Sequence, residues 1–179
     1  MSAGLERSTS QSTSTGLSSG LRVTRSSADE TAALRRAVLR PHMTIRQMTL
    51  AGDQDPDTAY LAVRALAGNG ALIGCVRLEP VPCPWADSLD VDTEHAWQLR
   101  AMATDPSARG TGIGRLLVEA AVNHVADRGG NAIWCNARVG AKAFYTRLGF
   151  RTVTGEFTVC EVPEHHVGMV RPVPSGTQS

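Results

Sequence analysis

The sequence predicts one mixed α/β domain, and three observations carry that prediction. Two short, partly alternating apolar runs stand close together in the first half. At Gly112 the apolar spacing switches to three and four, as on a long amphipathic helix, and beyond residue 130 short strand-like runs return. With 179 residues the chain suits one domain with a core of its own, and two independent domains would be small.

The opening "MSAGLERSTSQSTSTGLSSG" is mostly Ser, Thr and Gly, too poor in apolar surface to offset the entropy of ordering it, so residues 1–21 are expected to be a disordered tail ahead of a domain over 22–179. It lacks the basic start and apolar core of a secretory signal. Ser27 and Glu30 have capping-box spacing, and "ADETAALRRAVLR" then offers Ala33, Leu34, Ala37 and Val38 as one face of a first helix that Pro41 ends. Residues 42–57, rich in Asp, Pro and Gly toward their end, read as irregular or as a short second helix.

"TAYLAVRALA" and "GALIGCVRLEP", linked through Gly-Asn-Gly, read as a β-hairpin. Pro80, Pro82 and Pro84 make a loop, and "AWQLRAMAT" is a strand that Pro106 closes. Ile113, Leu116, Leu117, Ala120, Ala121, His124 and Val125 mark the long helix, stopped by Gly129 and Gly130. "NAIWCNAR" follows as a buried strand, "GAKAFYTRLG" as a short helix, and "FRTVTGEFTVCEV" and "HHVGMVRPV" as two closing strands. Trp97 and Trp134, on adjacent strands, are expected in the core.

Lys and Arg number 18 against 17 Asp and Glu, mixed without a basic block, so nucleic acid is not the expected partner. No segment approaches the roughly 20 apolar residues of a membrane span, so no membrane partner is expected either. Cys75, Cys83, Cys135 and Cys160 form no C-x-x-C pair and have no matching His spacing. They read as free thiols in a reducing cytoplasm, with no metal site.

The run "RGTGIG", Arg109 to Gly114, opens the long helix. Its spacing fits neither the dinucleotide fingerprint G-x-G-x-x-G nor the P-loop. Glycines without Cβ let backbone N–H groups approach an anion, and a helix N-terminus adds unpaired donors, so a pyrophosphate would fit; a plain glycine-rich turn is the alternative.

"RGTGIG" also resembles, position for position, the [Gln/Arg]-x-x-Gly-x-[Gly/Ala] motif of the GNAT superfamily of acyl-CoA N-acyltransferases, and "AKAFYTRLGF" is similar to that family's late helix. With the element order, the resemblance covers about residues 21–172. It implies a mostly antiparallel sheet flanked by helices, with a splayed central strand pair and acetyl-CoA as acyl donor. Arg109, Gly110, Thr111, Gly112, Ile113, Gly114 and Arg115 would then hold the coenzyme pyrophosphate. Met102, Ala103 and Thr104 would flank the pantetheine arm and, through a backbone N–H, an oxyanion. Asn136, at the end of the neighbouring strand, would bind cofactor or acceptor, or cap the structure.

The resemblance also implies N-acetylation of a primary amine, of a small molecule or a protein, attacking the thioester directly. Tyr145 matches the family's proton donor to the departing thiolate. The base stays open among His166, which resembles a His-x-x-Met ending, Glu94 ahead of its strand, Glu156 and a water chain. His165 alternates to the opposite face from His166. Asp87, Asp90, Asp92 and Glu94 make the Pro-rich loop locally negative, which favours a cationic amine. A non-catalytic acyl-CoA sensor of the same fold is the rival function. A homodimer is common among such proteins, but no segment identifies an interface.

Overall fold

Residues 21–66, 70–159 and 162–174 are described by the computed structural model. The N-terminal tail, the Gly68-Asn69 half of the predicted hairpin turn and Cys160 lie outside them. Ser27 and Glu30 form the predicted capping box, each side chain accepting from the other residue's N–H at 3.1 Å. Helix α1 (Ala28–Leu39) follows. Its inner face differs from the expected one: Ala33 and Ala37 are exposed, while Thr31, Ala32, Leu34 and Arg35 are buried. Arg35 is accommodated because its guanidinium donates to the carbonyls of Met48 and Ala28 at 2.9 Å and to Thr31 Oγ1 at 3.2 Å, and lies 5.0 Å from the Tyr60 ring centroid.

Strand β1 (Val23–Ser26), too short to carry an alternation, is ordered by antiparallel pairing with β2 (Ala59–Arg64). β2 pairs with β3 (Leu72–Glu79), the predicted hairpin. Between α1 and β2 the chain makes one 3-10 turn, Ile45–Met48, with its own Thr44–Gln47 capping box. That segment is anchored by charge. Asp53 accepts from Arg77 Nε at 3.0 Å and from the Tyr60 hydroxyl at 2.7 Å, and Glu79 closes the other side of the Arg77 guanidinium.

β4 (Ala96–Thr104), α2 (Ile113–Ala126) and β5 (Ala132–Arg138) form the strand–helix–strand unit. Val118 and Val122 join the expected inner face of α2, with Leu116, Ala120 and His124 half-buried at its margin. The short helix α3 (Lys142–Arg147) and the hairpin β6 (Arg151–Val159) and β7 (Val162–Pro172) complete the chain. The sheet order is β1-β2-β3-β4-β5-β7-β6, antiparallel except for β4 beside β5.

That parallel pair holds together only over Ala96–Gln98 against Ala132–Trp134. Further along, β4 stays with β3 while β5 follows β7, and the two strands part. A β-bulge sits on the diverging half of β4. Ala101 there has a left-handed φ of +51°, and the bulge reverses which side chains face α2. Trp97 and Leu99 before it and Met102 after it pack on the α2 side, whereas Ala103 packs with Leu34 of α1. The Pro-rich loop covers the opposite face of β5, where Cys83 and Trp85 meet Trp134 and Val170.

Candidate active site

The parting of β4 from β5 opens a cleft of about 1000 Å³. α1, β4, the start of α2, the end of β5, α3 and the β6–β7 hairpin all contribute to its walls.

One end is built by the glycine run, and its glycines serve two different purposes. Gly110 and Gly112 take left-handed φ values of +78° and +88°, which L side chains rarely adopt, and a Cβ on either would enter open space. Gly112 is the N-cap of α2 and offers no side-chain cap, so the first N–H groups of the helix stay available to a ligand. Gly114 is small for contact: a Cβ there would stand 3.1 Å from Phe144 and 3.3 Å from Met102 Cε. The open space above Gly110 and Gly112, flanked by Arg109 and Arg115, suits an anionic group. Gly112→Val should therefore abolish binding of a phosphate-bearing ligand while the protein still melts cooperatively; unchanged affinity in calorimetry would remove the cradle.

In the middle of the cleft, Tyr145 is buried on α3 between Phe144 and Phe150, with ring centroids at 5.0 and 5.2 Å. Its hydroxyl donates weakly to Met102 Sδ at 3.6 Å. Burial, and then the neighbouring Cys135, push the phenol well above its ordinary pKa, so it keeps its proton at neutral pH. His166 lines the other end from β7, buried, with its Nδ1 unpartnered among the described residues. Burial lowers its pKa from the ordinary value near 6.5, Arg138 and Arg40 add to the effect and Glu164 opposes it. Neutral imidazole is thus favoured, the form that accepts a proton.

The profile of the acetyltransferase (GNAT) family matches residues 28–150. YitI, an uncharacterized N-acetyltransferase of Bacillus subtilis (strain 168), is 30% identical over 141 residues, which are 79% of this chain and 89% of that protein. The chain belongs to the GNAT acetyltransferase family. Its fold is shared with the ribosomal-protein-S18-alanine N-acetyltransferase of Escherichia coli, at a TM-score of 0.63 and 18% identity over 89% of this chain and 98% of that one. An aminoglycoside 6'-N-acetyltransferase complexed with coenzyme A gives a TM-score of 0.59 at 15% identity, over 86% of this chain and 97% of that one.

A GNAT acetyltransferase is an acyltransferase, and the cleft gathers most of the residues that the sequence marks. Met102, Thr104, Arg109, Gly110, Gly112, Ile113, Gly114, Arg115, Asn136, Tyr145 and His166 all line it. Ala103 turns its side chain away toward Cys75, which leaves it only main-chain groups for a ligand. Thr111 is exposed and spends its hydroxyl on the Ala108 carbonyl at 2.6 Å.

Glu94 does not line the cleft. It is exposed near the paired end of β4, where its N–H donates to Asp92. Glu156 is exposed as well, 3.6 Å from His165 on the outer face of the β6–β7 hairpin. Nor does any residue of the acidic loop line the cleft, because that loop is committed to the far face of the sheet.

What the sequence leaves unmarked is a set of arginines. Arg147 lines the cleft with Arg109 and Arg115, Arg138 lies directly across from His166, and Arg35, Arg40 and Arg100 line the same cleft. They come from α1, β4, β5 and α3, elements that only the fold brings together, so no local spacing could have flagged them. A second groove of about 710 Å³ shares Arg115, Phe144 and Arg147 with the cleft and adds Arg171 and Glu119, the latter paired with Arg115 at 2.6 Å.

Among the described residues no group of three or more His, Cys, Asp or Glu is placed to hold a metal ion. No helix there is long and apolar enough to cross a membrane. Cys75, Cys83 and Cys135 are buried free thiols, and burial pushes Cys75 up to about 11 and Cys135 up to about 12.

Proposed function

We propose that this GNAT acetyltransferase moves an acetyl group from acetyl-CoA to a primary amine, with donor and acceptor bound together in the cleft. One observation carries the proposal: an anion cradle, a buried protonated phenol and a buried neutral imidazole share a single cavity. The cradle of Gly110, Gly112 and the first turn of α2 would take the pyrophosphate, and the groove with Arg147 and Arg171 suits the remaining nucleotide phosphate. Acetyl-CoA supplies the acyl group as a thioester. The diverging edge of β4 near Met102 and Thr104 would accept the pantetheine arm as an added strand, and its N–H groups would stabilise negative charge on the acyl oxygen.

Two proton transfers remain, and the cleft offers a group for each. An alkyl amine with a pKa near 10.4 arrives protonated and must lose that proton before it attacks. His166 is the base we favour, directly or through a water, since Glu94 and Glu156 stand outside the cleft. Tyr145 would return a proton to the departing thiolate. Thiols held protonated near neutral pH disfavour a covalent acyl-enzyme and support direct attack.

Thermal shift with acetyl-CoA, coenzyme A, NAD and ATP, followed by thiol release on an amine panel, tests this reading. A ligand at about 100 times its Kd adds about 2.7 kcal/mol, roughly 5–10 °C in Tm for a domain of this size. Stabilisation by the two coenzyme A forms alone and turnover on an amine are expected. No shift from either refutes the cradle, while binding without turnover on any amine would favour an acyl-CoA sensor.

The lowered pKa of His166 fixes a pH dependence. A base must be unprotonated, so kcat/KM should fall on the acid side with its half-point below about 6.5, the ordinary histidine value. In His166→Gln that acid limb should vanish along with most of the rate. A limb unchanged in position and size would assign the base to another group.

A further inference from the structure

Given the transferase proposal, on which this rests, we infer that the acceptor is an amine that also carries an oxyanion, a carboxylate or a phosphate, held by Arg138 beside His166. The cleft is lined by arginines at both ends, and no Asp or Glu is among its described lining residues. Arg109 and Arg147 answer the phosphates of the donor, with Arg115 shared with Glu119 at 2.6 Å, which leaves Arg138 beside His166 without a role in coenzyme binding.

The remaining arginines of the cleft differ in what already occupies them. Arg35 is a packing residue, its guanidinium spent on two carbonyls and a threonine hydroxyl. Arg100 shares Glu79 with buried Arg77. Arg138 is better placed. It is the cross-strand partner of His166, and its Nη2 donates to the Leu39 carbonyl at 3.4 Å, which ties β5 to the end of α1. Its ion pair with Glu164, at 3.3 Å, joins side chains that are 36% and 45% exposed. A pair so exposed contributes little and yields readily to a ligand oxyanion that binds a guanidinium through two oxygens.

The chemistry of selection follows from these charges. A second ammonium group could not replace Glu164 on Arg138 as an oxyanion can, so diamines and polyamines gain nothing there. An oxyanion group two to four bonds from the amine would meet Arg138 while the nitrogen stands at His166. Val38, Leu39, Val159 and Val162 line the same end and suit a small apolar body. The acidic loop cannot reverse this preference, because it lies outside the cleft.

The test uses the full chain with acetyl-CoA and three kinds of acceptor. Matched pairs, L-leucine against isoamylamine and L-phenylalanine against phenethylamine, isolate the carboxylate. O-phosphoethanolamine reports a phosphate, and putrescine a second cation. At least one oxyanion-bearing amine should exceed its uncharged or cationic counterparts by about 10- to 100-fold in kcat/KM, the range of a charge-assisted hydrogen bond. Whether the carboxylate or the phosphate probes lead identifies the source of the oxyanion.

In Arg138→Gln the preference should collapse while acetyl-CoA affinity is retained, and Arg138→Lys should restore part of it. Calorimetry of the same panel on the coenzyme A complex separates the two proposals. Selective binding of oxyanions without turnover would refute the transferase chemistry and keep this site. Equal or better use of isoamylamine or putrescine, an Arg138→Gln loss shared equally by all acceptors, or no binding by any probe would overturn it.

Discussion

Tyr145→Phe is expected to lower kcat by about 10²- to 10⁴-fold, the usual contribution of a positioned general acid, while leaving acetyl-CoA affinity and folding stability nearly unchanged. The separation of effects follows from the surroundings of the phenol. Its ring is packed edge-on against Phe144 and Phe150 and would stay so as phenylalanine. The hydroxyl lost has only a thioether as partner, a weak acceptor, so its removal strands no buried polar group. Steady-state kinetics, calorimetry with acetyl-CoA and thermal melting check the three parts. A variant with full kcat takes Tyr145 out of the chemistry, and one that fails to bind the coenzyme makes it a packing residue instead.

Asp53→Ala is expected to cost about 3–5 kcal/mol, the penalty of breaking a buried ion pair from one side. The carboxylate is 1% exposed, and it accepts from Arg77, from Tyr60 and, at 2.8 Å, from the Leu50 N–H. Its loss would leave a fully buried guanidinium with Glu79 as its only carboxylate beside the Ala51 carbonyl at 2.8 Å, and a buried phenol without an acceptor. Burial, the largest cause of the raised Tyr60 pKa, remains in the variant and opposes ionisation of the phenol to compensate. A domain has only about 5–15 kcal/mol in all, so the loss should be plain in urea unfolding. A fall below about 1 kcal/mol would mean that Glu79, the Ala51 carbonyl and water satisfy Arg77 unaided. Activity at low temperature should survive, since Asp53 does not line the cleft.

The two residues illustrate what a linear reading can and cannot reach. Tyr145 sits inside "AKAFYTRLGF", a segment whose pattern is local, and the resemblance that named it rests on neighbours in the chain. Asp53 sits in a stretch read only as irregular; its partners are 7 and 24 positions away, on two other strands. A carboxylate in such a stretch looks like any solvated turn residue until the strands are paired. Glu94 shows the converse, since position in the chain made it a candidate base and the fold leaves it exposed away from the cleft.

The sequence by itself determined the elements set by near neighbours. The capping box of α1, the hairpin strands, the glycine start and stop of α2 and the order of strands and helices all follow from residues within about four positions of one another, where turn chemistry and periodicity act. The glycine cradle was legible for the same reason. Tertiary structure alone decided β1, which four residues cannot announce, the buried Arg35 that displaced two alanines from the inner face of α1, and the left-handed Ala101, which no alanine foretells. It also decided where β4 parts from β5, which the resemblance implied only as a splayed central pair, and the charge of the cleft, because its arginines come from separate elements and meet only once the sheet is assembled.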